Sequence, residues 1–168
     1  MMQKREKTEI KLFHYTDNSS HIRQIRNLLR QEKSHMLVLE EQEIERILKE
    51  NQGVLALFNN ITVGFAKFFE NGKKDNTPVL EVGSLVVHPG YRKKGIAKKM
   101  INELLSTAKH TYKKALLVAV IRKTNINSYR YFKNLGAREI AKPQGFGLYP
   151  PGWGVDKFHF FSLNNIKS

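Results

Sequence analysis

The clearest hydrophobic pattern is an apolar run followed by a break and then by apolar residues at helical spacing. Residues 79–87 are mostly apolar and include four β-branched valines, with Glu81 and Ser84 as the only polar side chains, which predicts a central strand. Pro89 and Gly90 end that run. From Ile96 the apolar positions recur every three or four residues, which predicts an amphipathic helix. We therefore expect a strand, a tight turn and a helix at the centre of the fold.

Before this centre, the pattern predicts a strand, two helices and a hairpin. Alternation over 8–15 predicts the strand, and Asp17, Asn18 or Ser19 can cap a helix that runs to about residue 31. A second helix is predicted over 40–50. Strands over 54–58 and 61–70 are joined by Asn59-Asn60, a good hairpin signal, and 71–77 is predicted to be a longer polar turn. The charged segment 1–7 is expected to be frayed.

After the centre, a strand over 115–121 is predicted to be buried because its apolar run is unbroken. A short helix starts at Thr124 or Asn125 and stops at Gly136, and 137–141 and 155–163 are predicted as the last strands. The predicted order is βααβββαβαβ. It predicts one α/β (α+β) domain over 8–165, with a mixed, mostly antiparallel sheet flanked by helices.

Charge and composition narrow the classes of partner. The chain has 29 Lys and Arg against 15 Asp and Glu, a net charge of +14, which favours nucleic acid, an anionic membrane surface or a phosphorylated cofactor as partner. The absence of cysteine excludes disulfides, thiolate metal sites and a cysteine nucleophile, and it suits a cytoplasmic protein. No signal peptide or membrane span is predicted, and the six histidines show no metal-binding spacing, so no metal is expected.

The turn before the central helix carries an unusual number of cations. A helix N-terminus has unpaired N–H groups and a partial positive charge, so it prefers anions, yet lysines and an arginine crowd this one. Together with Gly95, this pattern favours a site for a phosphorylated ligand over an ordinary basic surface turn. It is not a Walker loop, since Ile96-Ala97 replaces the Lys-Ser/Thr pair, and the dinucleotide motif G-x-G-x-x-G is absent.

The segment Leu85-Val86-Val87-His88-Pro89, followed by Arg92-Lys93-Lys94-Gly95-Ile96-Ala97, resembles the acetyl-CoA-binding motif of the GNAT N-acetyltransferases. The resemblance implies an enzyme that transfers an acetyl group from acetyl-CoA to a small-molecule or peptide amine. It also implies that the strands at 79–87 and 115–121 splay apart to hold the pantetheine arm. The cofactor contacts that it implies in this part of the chain are Leu85, Val86, Val87, Arg92, Lys93, Lys94, Gly95, Ile96, Ala97 and Lys98, with the backbone of Val86 and Val87 near the thioester oxygen.

A second stretch, 125–136, is similar to another motif of the same family. Asn125, Ser128 and Gly136 match, which implies that Asn125 and Ser128 contact the cofactor arm. The tyrosine that often protonates the leaving thiolate is replaced by Phe132. Either no general acid acts, or Tyr129 or Tyr131 takes that part; we expect both tyrosines to be packing or rim residues.

Glu81 is the candidate general base. It is a lone carboxylate in an apolar strand, and many members of the family have an activating glutamate at the matching place. Partial burial would raise its pKa and make it a better base. The competing interpretation is a solvent-facing glutamate, or one paired with a lysine.

The acceptor side of the sequence is less informative. The acidic residues Glu40, Glu41, Glu43 and Glu45 could attract a cationic amine, but we expect an ordinary solvated first helical turn. In the loop 143–154, Phe146, Tyr149 and Trp153 could line an acceptor pocket, form a homodimer contact or simply pack. Two further classes stay open: a basic nucleic-acid-binding domain, which is less favoured because no such motif is found, and a CoA-binding sensor without turnover.

Overall fold

The structure is a computed structural model that describes residues 9–147 and 154–166. Seven strands and four helices are found in this part of the chain. The strands are β1 (Lys11–Phe13), β2 (Gly53–Phe58), β3 (Ile61–Lys74), β4 (Thr77–Val87), β5 (Leu116–Arg122), β6 (Arg138–Ile140) and β7 (Phe158–Ser162). The helices are α1 (Ser19–Gln31), α2 (Glu41–Lys49), α3 (Ile96–Thr111) and α4 (Ile126–Asn134).

The strands form one sheet in the order β1-β2-β3-β4-β5-β7-β6. Only the β4–β5 pair is parallel, so the expected mixed, mostly antiparallel sheet is confirmed. The chain order is βααβββαβαββ, which has one strand more at its end than the predicted string. No helix of the described residues is long and apolar enough to cross a membrane.

The two faces of the sheet are covered differently. On one face, α3 and α4 pack on β2–β5 through a large apolar core that includes Met100, Leu104 and Phe132. On the other face, α1 and α2 cover β2 and β3, around Ile25, Leu48 and Phe65. A separate small cluster around Phe146 covers the far part of that second face. The middle of the second face lies between these two clusters.

Two tight hairpins connect β2, β3 and β4. Asn59 and Asn60 have φ of 48° and 60°, the left-handed values that a two-residue type I′ turn requires, so the predicted hairpin is confirmed. The predicted longer turn over 71–77 is wrong. β3 continues to Lys74, and the chain reverses at Asp75 and Asn76, with φ of 48° and 61°. Asp and Asn tolerate this conformation, which is why a polar stretch can still form a long hairpin.

The outer strands are shorter than predicted. β1 spans three residues because it pairs only with 55–57 of β2. β7 begins at Phe158, since Val155–Lys157 forms a 3-10 turn in which Lys157 N–H donates to Gly154 O over 3.0 Å. The predictions for segment 1–7, Tyr149 and Trp153 lie outside the described residues.

Candidate active site

The central feature of the site is a gap between two parallel strands. β4 and β5 pair from Val79/Leu116 to Val82/Ala119, and beyond that point their registers no longer match. The C-terminal parts of the two strands therefore separate, as the family resemblance implied. A cleft of about 410 Å3 opens between them and continues to the N-terminus of α3.

A β-bulge lies where the strands separate. Phe65 pairs with Val86 and Lys67 with Gly83, so two steps along β3 face three steps along β4. The extra residue leaves Ser84 with φ of 52°, an uncommon conformation for a residue other than glycine. A bulge bends a strand and disrupts the ladder locally. Here it turns the backbone of 84–87 at the wall of the cleft, where β5 offers no pairing partner.

The cleft ends at the first turn of α3. Gly95 has φ of 75° and precedes the helix. The N–H groups of a first helical turn have no intrahelical acceptor, and here no described side chain caps them either. A Cβ on Gly95 would contact nothing within 4 Å. Glycine is therefore required here by its backbone conformation, and the space in front of the helix end is open to a ligand. These N–H groups and the helix dipole suit an anion.

The structure brings most of the predicted cofactor residues together. Lys94 is the exception, since its ammonium lies 5.1 Å from the ring centre of Tyr91 and the residue does not line the cleft. His88, to which no role was assigned, accepts a hydrogen bond from Gly90 N–H and so supports the turn. The predicted residues that line the cleft are Leu85, Val86, Val87, Arg92, Lys93, Gly95, Ile96, Ala97, Lys98, Asn125 and Ser128.

The connection between α1 and α2 forms one wall of the cleft, which the sequence did not indicate. Glu32, His35 and Met36 line it. Arg92 donates to Glu32 and, through Nε, to Val87 O over 3.0 Å. From the other side of the gap, Arg122 of β5 donates to Ser34 O over 3.0 Å. The connection is thus anchored to both of the separated strands.

α4 supplies the opposite wall. The side chain of Asn125 caps this helix by accepting from Ser128 N–H over 3.1 Å, as the predicted helix start requires. Phe132 is buried and stacks on Phe161, so it belongs to the core. Tyr129 points elsewhere, and its hydroxyl donates to Glu139 over 3.4 Å.

Tyr131 lines the cleft together with Asn127, Ser128 and Phe132 of α4. Its hydroxyl is buried and has no hydrogen-bond partner among the described residues. Burial raises the pKa of this phenol to about 12. This position is compatible with the expectation that Tyr131 is a packing or rim residue, and it places a phenol on the cleft wall. Its position next to Phe132 in the second motif is the sequence signal that pointed to it.

Glu81 lies on the second face of the sheet, in the part that neither apolar cluster covers. Residues alternate between faces along a strand, so Glu81 and Gly83 share this face with Lys67, Phe69 and Val120 of the neighbouring strands. All five are half-buried. We call these five residues the mid-sheet strip. Gly83 and Val120 also line the cleft, so the strip and the cleft are continuous.

Asn71 holds the Glu81 carboxylate. A second irregularity, between Glu70 and Lys73 of β3, accommodates Asn71, and its Nδ2 donates to Glu81 Oε2 over 2.7 Å. The same amide also donates to Gly147 O over 2.9 Å and accepts from Gly147 N–H over 3.0 Å. Asn71 therefore joins Glu81 to the end of the described 143–147 segment.

Burial raises the pKa of the Glu81 carboxyl above its ordinary value, while the Asn71 hydrogen bond and the charge of Lys67 oppose that rise. A partly desolvated carboxylate with a raised pKa is a stronger base, which suits a proton acceptor. Glu81 has no salt bridge with a lysine in the described residues, so the lysine-paired alternative finds no support there.

Lys67 was missed by the sequence reasoning. It is the one charged residue between Val63 and Phe69, the same kind of signal that singled out Glu81. Its ammonium lies 4.5 Å from the ring centre of Phe69. Burial lowers its pKa, and the charges of Glu43 and Glu81 partly oppose that effect.

The acidic residues of α2 have mostly structural partners. Glu40 pairs with Arg26, and Glu45 with Lys49 over 2.6 Å, as expected for a solvated helix face. Glu43 differs, because its charge acts on Lys67. The described residues contain no group of histidine, aspartate and glutamate that could hold a metal ion. Phe146 is buried and packs on Phe160, which supports the packing alternative for this aromatic residue.

Comparisons with known proteins agree with this geometry. A sequence comparison with curated proteins gives no match. Among solved structures, a GNAT-family acetyltransferase from Staphylococcus aureus superposes with a TM-score of 0.68 at 20% identity, covering 92% of this chain and 99% of the other. The Salmonella typhimurium protein yncA, solved with its cofactor acetyl-CoA, gives 0.67 at 19% identity and 92% coverage of both chains.

A third structure is diaminobutyrate acetyltransferase from Paenibacillus lautus, in complex with L-2,4-diaminobutyric acid and coenzyme A. It gives a TM-score of 0.66 at 19% identity, covering 92% of this chain and 94% of the other. At these identities the three structures establish the fold. The profile of the acetyltransferase (GNAT) family matches residues 20–137, which is most of the sequence. The chain belongs to the GNAT family of acetyltransferases.

Proposed function

We propose that this protein transfers an acetyl group from acetyl-CoA to a primary amine, with Glu81 as general base. The observation that carries the proposal is the end of β4–β5 pairing at Val82/Ala119, in a cleft that also contains the bare N-terminus of α3. One end of this cleft suits a diphosphate and the other reaches a desolvated carboxylate. If the space between β4 and β5 served only to pack side chains, it would need neither a diphosphate site nor a desolvated carboxylate.

The described residues fit coenzyme A. The N–H groups after Gly95, with Lys93 and Lys98 nearby, are donors for its diphosphate. The unpaired edge of β4 beyond Val82 is available for the amides of the pantetheine arm, much as a strand would be. The Tyr131 hydroxyl, which has no partner in the part of the chain that the structure describes, is the candidate donor for a polar atom in the cleft.

Residues of this chain accept and release the protons of the reaction. Acetyl-CoA supplies the acetyl group as a thioester. A primary ammonium loses one proton to Glu81, directly or through water, and the neutral nitrogen attacks the carbonyl carbon. The new C–N bond replaces the C–S bond, and the attacking nitrogen loses its second proton through water to the departing thiolate. The products are an N-acetyl amide, free CoA as its thiol and one proton released through Glu81. The turned backbone after Ser84 is the candidate donor to the carbonyl oxygen as it gains negative charge.

Tyr131 assists the departing sulfur as a hydrogen-bond donor. A thiol has a pKa of about 8.5, well below the value of about 12 for the Tyr131 phenol. Full proton transfer from Tyr131 to the thiolate would therefore be unfavourable, and the thiolate takes its proton from water. The phenol stabilises it by donating a hydrogen bond, so the tyrosine that Phe132 replaces is not required.

The test combines a binding measurement with turnover. Acetyl-CoA at 100 times its Kd should stabilise the protein by about 2.7 kcal/mol, seen as a rise in Tm. A panel of amines should then release free thiol, which is easily followed because the chain has no cysteine. A rise in Tm without thiol release from any amine would favour a CoA-binding sensor. Absence of both responses would reject the proposal, and the cytoplasmic acetyltransferase role with it.

A further inference from the structure

The mid-sheet strip contains one negative and one positive group, Glu81 and Lys67, whose charges act on each other without forming a salt bridge. Glu81 is held by Asn71, and no salt bridge connects it with Lys67. The ammonium of Lys67 forms no hydrogen bond or ion pair with any described residue, and its recorded contact is the ring of Phe69 at 4.5 Å. A desolvated ammonium without an acceptor is costly, and it is a common feature of a site that receives an anion.

The geometry points to an acceptor that carries a carboxylate as well as an amine, and we propose that the Lys67 ammonium binds this carboxylate. This rests on the proposed acetyl transfer at Glu81. Lys67 is the register partner of Gly83, and Glu81 lies two residues from Gly83 on the same face. Two residues of a strand span about 7 Å, so one small amino acid can reach both side chains.

The position above Gly83 is not filled by the residues that the structure describes. Among them, a Cβ placed there would have one neighbour within 4 Å, the Glu81 Oε1 atom at 4.0 Å. Gly83 also lines the cleft that ends at the α3 N-terminus. The open position is thus bordered by the candidate base, by Lys67 across the strand pair, and by the candidate thioester position along β4.

Neighbouring charges act on Lys67 without forming a direct contact with its ammonium. From α2, Glu43 and Arg46 also act electrostatically on the Lys67 ammonium. Arg46 is already paired with Glu50 over 2.7 Å, and Glu43 forms no salt bridge with Lys67 in the described residues. A simple diamine would place its second cation against Lys67, whereas an amino acid would place its carboxylate there. The strip therefore selects between these two classes of amine by charge.

The experiment uses acceptor pairs that differ only by the carboxylate: lysine with 1,5-diaminopentane, and ornithine with 1,4-diaminobutane. Values of kcat/KM are calculated from the concentration of the unprotonated amine, so that differences in amine pKa do not affect the comparison. The wild-type protein should favour the amino acid by about tenfold or more in kcat/KM, the range for a charge-assisted hydrogen bond. Lys67→Met should remove this preference by raising the KM of the amino acid about tenfold, while the KM of the diamine stays the same or falls because the repulsion of its second cation is lost.

Two further variants separate charge from structure. Lys67→Arg keeps the charge and should retain most of the preference. Lys74→Met, on an exposed lysine of the same strand, should behave as wild type. Equal wild-type rates for both members of each pair, or an equal loss for both in Lys67→Met, would overturn the inference while leaving acetyl transfer intact.

A different result would reassign Lys67 itself. If mass spectrometry finds the acetyl group on Lys67 after incubation with acetyl-CoA, this lysine is an acceptor and its proposed binding role is wrong. If no amine in the panel releases thiol and acetyl-CoA does not raise Tm, the proposed function fails and this inference fails with it.

Discussion

The cleft and the mid-sheet strip are adjacent regions built by different means. The cleft depends on backbone: a lost strand pairing, a bulge at Ser84 and a helix start at Gly95. The strip depends on side chains from separate segments, in which Glu81, Asn71 and Lys67 influence one another. The difference teaches that binding of the cofactor can tolerate many side-chain changes, whereas choice of acceptor and base strength depend on a few residues.

The largest effect on turnover is expected for Glu81→Gln, which changes the mid-sheet strip and leaves the cleft lining unchanged. Removing the base should lower kcat about 100-fold at pH 7, because a primary ammonium with a pKa of about 10 then has no acceptor for its proton. Thiol release measures the effect. Turnover should partly recover at alkaline pH, where the amine is neutral without assistance.

Because Glu81 does not line the cleft, Glu81→Gln should leave the rise in Tm with acetyl-CoA unchanged. Full activity of the variant at pH 7 would contradict the assignment of the base. A lost Tm response would show instead that the strip and the cleft cannot be treated as separate parts.

The same contrast explains how far the sequence could predict the site. Much of the cleft is encoded by residues close together in the chain, 85–98 and 125–128, so this part of its lining could be predicted, whereas the α1–α2 connection, the end of β5 and Tyr131 were not predicted as cofactor contacts. Lys67 and Asn71 could not be placed beside Glu81, because that requires the β3–β4 register. Asn71 was in fact predicted to lie in a polar turn, and only the long hairpin with its reversal at Asp75 and Asn76 brings it to Glu81.

A smaller effect on turnover is expected for Tyr131→Phe, which changes the cleft. Losing a hydrogen bond to a charged sulfur should lower kcat about tenfold. The same change removes a buried hydroxyl without a partner, so the free protein should become more stable, by about 1 kcal/mol. Thermal unfolding and thiol release on one preparation measure both effects.

The matched control is Tyr129→Phe, whose hydroxyl contacts Glu139 and does not line the cleft. It should retain wild-type kcat. Unchanged turnover in Tyr131→Phe would show that the leaving thiolate needs no donor from α4. In that case Phe132→Tyr, which restores the residue common in the family, should also have no effect on rate.

The smallest expected effect concerns the pH dependence of Glu81. Its carboxylate form accepts the proton, so activity should rise as pH increases through its pKa. Burial raises that pKa, and Asn71 and Lys67 hold it down by favouring the charged form. Asn71→Ala removes one of these opposing effects, so the pKa of Glu81 rises further. The acidic limb of the pH profile of kcat then moves to higher pH. Asn76→Gly, at a turn position with φ of 61° and no contact to Glu81, should leave the limb in place. A limb that stays fixed or moves to lower pH in Asn71→Ala would mean that Asn71 serves the 143–147 segment rather than the base.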